Sequence, residues 1–423
     1  MIYRTIANLI FLLSLFPYVS PFDTPFDTQP WALFAATIFV VALVIKREIS
    51  FPRPLFLLMV TTIYAGVIYL FYLAVRESDP LGGLRSLAGY ASLFMLTFSA
   101  YKTFPYVKAK LYITAVIIWF FAGIIQLLYG HWALEPIIPR LATGGYRGLT
   151  SLAPEPAYYA MECCALLVLN EIFYKEKRYR DWVYLVIFLV LVFQIVLSFS
   201  GVGLFVLSLF LIIKSSLIFF MGETKKQKKM SLFVISLLVI SIYLFAVYPI
   251  LRESRAGYIL SELLIDPKRL LQIDLSISTR LSNVTLALYG GLIESHGLGF
   301  GLARTGQENI PAWLASRLGI ERAWGGRTMG GLLSAIYELG IIGVAMVISV
   351  WWIISLSILR NSRMRAALLI STLVFILPRH IFDPIAFPLF GYLLGVHLFY
   401  AYAAPCRFRT INYSQVSKVL KKD

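Results

Sequence analysis

Charge is scarce in this chain. Asp, Glu, Lys and Arg make up 14% of its 423 residues, against 59% hydrophobic residues and a mean hydropathy of +0.78. That balance excludes a soluble globule. Cysteine is nearly absent: Cys163 and Cys164 fall inside an apolar run and Cys406 near the C-terminus, so no structural disulfide is expected. The four histidines (131, 296, 380 and 397) lack paired ligand spacing, and no outward Asp-x-Asp pair stands ready for a divalent ion. Neither a metal nor any other cofactor is expected. Low-complexity tracts and short-period repeats are missing. No small-residue cleavage site follows the first apolar run, which therefore reads as an uncleaved first span.

What is present is a series of apolar runs. A span needs about 20 mostly apolar residues to cross a hydrocarbon core of about 30 Å. Spans are expected near 5–20, 31–45, 55–75, 84–100, 111–129, 157–173, 182–198, 202–220, 231–249, 328–354, 366–378 and 385–403, about twelve in all. Ser198-Phe199-Ser200-Gly201 reads as a tight turn between two short spans. The fold class is all-α and polytopic, a single transmembrane domain over 1–423.

The positive-inside rule orients this map. With the N-terminus in the cytoplasm, the loops 46–54, 101–110, 174–181, 221–230 and 360–365 carry clustered Lys and Arg, as does the tail after 404. The short outward loops carry five basic residues between them, and both termini lie inside. The net charge of +16 is then mostly a cytoplasmic collar that touches anionic headgroups of the bilayer. Nucleic acid is not an expected partner, because no soluble domain displays a basic face.

Arginine and lysine divide unequally between the two sides. The inner set holds fourteen Lys and ten Arg, whereas the outer set holds thirteen Arg and the single Lys268. Either residue sets topology equally well, so topology leaves the skew unexplained. The planar guanidinium matches phosphate and carboxylate oxygens two at a time. An anionic ligand at the outer face follows, a diphosphate or an acidic sugar; anchoring at the interface and pairing with outward carboxylates is the competing reading.

Residues 250–327 form one large outward loop, too long for a mere connection. Ile277, Leu281, Val284, Leu288 and Leu292 share a helical stripe, and Pro311, Trp313, Leu314 and Leu318 suggest a second short helix. An interfacial lid is the plain reading of this loop. Arg280, Gly291, His296 and Gly297-Leu298-Gly299-Phe300-Gly301 lie within it, the glycines permitting close backbone approach to a ligand. Arg304 and Arg327 belong to the same loop.

Two other stretches carry chemistry. Arg147 precedes Gly148-Leu149-Thr150-Ser151-Leu152-Ala153-Pro154-Glu155-Pro156, where two prolines hold Glu155 extended at the start of a helix. Helix capping is the alternative role for that carboxylate. Glu162 lies on the same face about 10 Å farther along, and Glu338 sits shallow in the span beginning near 328. An ionisable group at such depth marks a functional site by default, although pairing with Arg to hold helices together is the other reading for both. Pro378-Arg379-His380-Ile381-Phe382-Asp383-Pro384 offers a cation, a base and a carboxylate in one outward loop. A structural His380 is as good a reading as a functional one.

Taken in order on a twelve-span frame, these stretches resemble the bacterial O-antigen polymerase (Wzy-type) family, relatives of the O-antigen ligases. The matching pieces are Arg147 with Glu155-Pro156, the turn at Ser198–Gly201, Arg280 with Gly291 and Gly297–Gly301, and Tyr337-Glu338-Leu339-Gly340-Ile341-Ile342-Gly343. The resemblance covers the whole chain in architecture and about forty residues in motif. It implies a GT-C-like glycosyltransferase of the inner membrane that is metal-independent. Such an enzyme moves a growing glycan from undecaprenyl diphosphate to a hydroxyl on another lipid-linked repeat unit, with a chain-length regulator as a further partner. Arg147 and Arg280 would grip the diphosphate with Arg379 or other loop arginines, and Glu155, or else His380, would act as general base. Direct displacement would invert the anomeric carbon. The ligases of this superfamily look to carry a His just before the Glu-Leu-Gly span, where this chain has Arg327-Thr328-Met329-Gly330-Gly331. That departure favours polymerase over ligase. The rival from a different class is a flippase for lipid-linked sugars, which should show charges near the midplane and two related halves.

Overall fold

Among the described residues each apolar run folds as helix, and proline or glycine marks most boundaries. The computed structural model describes residues 2–20, 28–75, 80–138, 148–221, 284–302, 331–378 and 386–402. In chain order the helices are α1 (Ile2–Ser14), α2 (Trp31–Ile45), α3 (Arg53–Val75), α4 (Pro80–Thr103), α5 (Ala109–Tyr129), α6 (Pro156–Lys175), α7 (Asp181–Leu197) and α8 (Gly201–Met221). There follow α9 (Leu286–Glu294, π-helical), α10 (Gly331–Leu339), α11 (Ile341–Arg360), α12 (Arg365–Ile370, running into a π turn at Ser371–Ile376) and α13 (Pro388–Tyr402). No strand occurs among the described residues. Segments of α3, α5, α8 and α11 are long and apolar enough to cross a membrane by length and composition. The protein is an all-α membrane protein.

Burial sorts the helices into a centre and a periphery. Fourteen residues of α13, Pro388 to Ala401, are buried, and sixteen of the twenty in α6. A helix apolar all round belongs in the interior. By contrast α2, α3, α5 and α7 leave Ile38, Phe71, Leu128 and Trp182 exposed, an apolar outer surface that suits lipid rather than water. The most extensive seam joins α4 to α13. A Cβ on Gly395 would lie 2.4 Å from the Thr97 carbonyl oxygen, so only glycine lets the two backbones meet, and Thr97 Oγ1 donates to the Gly391 carbonyl at 3.1 Å.

The basic loops gather at one end. Lys102 Nζ donates to Ser50 Oγ at 2.9 Å, and the Lys108 amide to Asn8 Oδ1 at 3.1 Å. Arg178 pairs with Glu176, donates to the Val107 carbonyl at 2.8 Å and covers the Phe104 and Phe173 rings. Tyr400 donates to Glu176, and Arg363 to the Lys175 carbonyl. Just inside this end, Lys214 of α8 pairs with Glu171 of α6 at 2.5 Å, with Tyr184 of α7 bonded to both. Lys214 therefore bridges three helices from a partly buried position.

Three expected spans differ in form. The run at 5–20 ends as helix at Ser14, because Pro17 supplies no amide and restricts the residue before it. The run at 328–354 is two helices, not one, broken at Gly340 (φ 57°, ψ −129°). The run at 366–378 is a short α-helix widened into a π turn. The Ser198–Gly201 turn forms between α7 and α8, with Ser200 Oγ accepting the Gly203 amide at 3.2 Å. The expected span 231–249 lies outside the described residues, as do 250–283 and 303–330 of the large loop, including the short helix expected after Pro311.

Candidate functional site

Opposite the basic end, the chain before α6 is tied down residue by residue. The Leu149 amide bonds the Leu197 carbonyl of α7 at 3.1 Å, and a Cβ on Gly148 would fall 2.3 Å from the Ser198 carbonyl oxygen. Gln126 of α5 then holds the next two residues. Its Oε1 accepts the amides of Thr150 and Ser151, both at 2.8 Å, and its Nε2 donates to Thr150 Oγ1 at 2.6 Å. Ser151 Oγ donates to the Trp119 carbonyl at 2.7 Å, and the Ala153 amide closes a turn onto the Thr150 carbonyl at 2.9 Å. Pro154 and Pro156 flank Glu155.

Glu155 is the N-cap residue of α6, in extended backbone (φ −141°, ψ 153°), with Pro156 at the first helical position. Its carboxylate makes no cap hydrogen bond. It lies at the positive end of α6, where the helix dipole favours a carboxylate, without bonding the first helical amides. Half-buried at the rim, it is a carboxylate held in place by its backbone and free of its own helix.

Glu162 is fully buried in α6, one turn beyond Tyr158 on the same face. Tyr158 meets the ring of Tyr18, which meets Phe387 just ahead of α13. Ala386, beside Phe387, packs against Gly89 of α4. On the next faces of α4, Ser86 Oγ donates to Glu338 Oε1 at 3.0 Å and Tyr90 OH to Glu338 Oε2 at 2.6 Å. The surroundings of Glu155 and Glu338 are therefore joined through Tyr18, Phe387 and α4. Arg85, one of the outward arginines, stands beside Ser86 with a buried Nε that has no hydrogen-bond acceptor among the described residues.

The glycine cluster packs on the protein itself. The Phe300 and Gly301 amides bond the Tyr337 and Glu338 carbonyls at 2.9 and 3.0 Å, and the Ile341 amide bonds the Gly297 carbonyl at 2.9 Å. A Cβ on Gly299 would meet the Glu338 carbonyl oxygen at 2.5 Å, and one on Gly291 the Ile336 carbonyl oxygen at 2.3 Å. Close backbone approach was the correct expectation, but the approaching partner is α10 rather than a ligand. This docking also accounts for the break at Gly340, whose missing side chain leaves room for the Gly297 carbonyl. His296 is exposed at the tip of the loop, in a left-handed conformation (φ 54°).

Of the residues singled out from sequence, Arg147, Arg280, Arg304, Arg327, Arg379 and His380 lie outside the described residues. Among the described residues, no three His, Cys, Asp or Glu side chains form a cluster able to hold a metal. Sequence reasoning missed Gln126, Ser86 and Tyr90, and also His397, whose two ring nitrogens contact Ser357 Oγ at 2.7 Å and Ser371 Oγ at 3.0 Å. A polar side chain inside an apolar run was the available signal, since an unpaired amide or imidazole is costly there. Compared with known proteins, the chain matches no family model and no curated protein.

Proposed function

We propose that this protein is a membrane glycosyltransferase that polymerises undecaprenyl-diphosphate-linked oligosaccharide repeat units at the extracytoplasmic face. On this reading it is a twelve-span, GT-C-like protein of the bacterial inner membrane, with both termini in the cytoplasm and 250–327 as a periplasmic loop. The observation that carries the reading is the state of Glu155, a carboxylate rigidly presented at the end opposite the basic loops and making no cap hydrogen bond. The arginine skew of the outward loops supports it, and the buried Arg85 Nε adds a donor at the same end.

In the proposed reaction an acceptor sugar hydroxyl attacks the anomeric carbon of the donor glycan. The bond from that carbon to the diphosphate oxygen breaks as the new glycosidic bond forms. Glu155 takes the hydroxyl proton, with His380 as the other candidate base. Undecaprenyl diphosphate leaves with the bonding electron pair, its growing charge met by Arg147 and Arg280, with Arg379, Arg304 and Arg327 as further contacts. His296, Glu162 and Glu338 are proposed to border the sugar path. Attack from the face opposite the leaving group inverts the anomeric centre.

The test is polymerisation of a lipid-linked repeat unit by the purified chain and by Arg280→Ala and Glu155→Gln. Both variants should lose most activity; near-normal glycan length from both would remove the site assignment. Transfer onto a lipid A-core acceptor would point to a ligase instead. Movement of intact lipid-linked sugar between leaflets without new glycosidic bonds would point to a flippase.

A further inference from the structure

The proposed reaction needs Glu155 at a fixed height and direction, yet among the described residues its carboxylate has no hydrogen bond or ion pair to a neighbouring helix. The anchoring occurs four and five residues earlier. Gln126 is 2% exposed, lies in the last turn of α5, and holds Thr150 and Ser151 through three bonds of 2.6–2.8 Å. From there the path to Glu155 is short and stiff, with a turn closed by the Ala153 amide, then Pro154, then the N-cap residue. A primary amide suits this position because one oxygen can accept two successive amides while its nitrogen donates to the Thr150 hydroxyl. Leucine, of similar size, would leave both backbone amides and a hydroxyl buried without partners.

We infer that Gln126 is a positioning residue, which fixes the Glu155 carboxylate at the rim by holding the Thr150–Ser151 backbone. It touches neither donor nor acceptor sugar. The inference rests on the proposed role of Glu155 as base, but its geometric half stands without that role. The chemistry also sets the rescue. Gln126→Glu keeps an oxygen for the two amides, and the Thr150 hydroxyl can turn to donate to the carboxylate. Gln126→Leu keeps nothing.

Two readouts on the full chain in lipid nanodiscs test it. The first is labelling of Glu155→Cys by a membrane-impermeant maleimide, with residue 126 as Gln, Leu or Glu. The labelling rate should shift several-fold with Leu and return near the Gln value with Glu. The second is transfer kinetics with a lipid-linked repeat unit in chains that retain Glu155. Gln126→Leu should lower kcat about 10- to 100-fold with little change in KM, and Gln126→Glu should restore most of it. Unchanged labelling and unchanged kcat in Gln126→Leu would overturn the inference, as would equal losses in the Leu and Glu variants. A labelling shift with no transferase activity in the unaltered chain would uphold the positioning role and reject the proposed reaction. Should Gln126→Leu fail to accumulate, Thr150→Val, which strips one of the three bonds, must show a smaller shift in the same direction; no shift would again overturn it.

Discussion

Tyr90 donates a 2.6 Å hydrogen bond to the Glu338 carboxylate, joining α4 to the short helix that stops at Gly340. Ser86, one turn earlier, satisfies the other oxygen. A buried carboxylate in an apolar bundle is tolerated when its oxygens are bonded, so this pair fixes where the glycine-rich loop and α10 sit against α4.

Removing that donor should therefore weaken the whole rim. Tyr90→Phe is expected to lower stability by about 1.5–3 kcal/mol, the range for a hydrogen bond to a charged group. Thermal unfolding of the purified protein in detergent measures it. A melting temperature equal to that of the unaltered protein would show the bond to be unimportant.

Glycine positions separate by what lies beside them. Gly299→Ala forces a Cβ to within 2.5 Å of the Glu338 carbonyl oxygen in a left-handed conformation (φ 79°), and should cost at least about 1–3 kcal/mol. Gly201→Ala meets nothing within 4 Å in ordinary helical backbone and should be neutral or slightly stabilising. Parallel melts of the two variants check the contrast, and equal shifts would contradict the packing described.

At the opposite end, buried Glu171 pairs with the partly exposed Lys214. Lys214→Met should cost more than Glu171→Gln, because it leaves the buried Glu171 charge unpaired whereas Lys214 is partly exposed. The double variant Glu171→Gln with Lys214→Met should lose less than the sum of the two single losses. Additive losses in this double-mutant cycle would mean the two charges do not act as a pair.

Much of the architecture was legible in the chain. Apolar runs gave the helices, and clustered Lys and Arg gave the loops that share an end. What stayed hidden was non-local. Hydropathy across 328–354 is continuous, so it carries no sign of the φ of 57° that breaks the helix at Gly340. The glycines of 297–301 announced close approach, but which backbone approaches depends on residues about forty positions away. Gln126 and Lys214 are polar groups in apolar runs, but were passed over because their partners lie 24 and 43 residues distant. Glu155 was legible because two adjacent prolines fix it locally.

Sidedness is a separate prediction. A cysteine at His296 should react with a membrane-impermeant reagent added to intact spheroplasts, and one at Lys177 only after permeabilisation. The reverse pattern would put the proposed site in the cytosol and end the account as framed.

The most direct measurement is the product made from a purified lipid-linked repeat unit by this protein alone in a bilayer, resolved by mass spectrometry. The account predicts a ladder of dimers and longer glycans on one undecaprenyl diphosphate, with one free undecaprenyl diphosphate released per bond formed. An unchanged repeat unit in the presence of folded protein would contradict it.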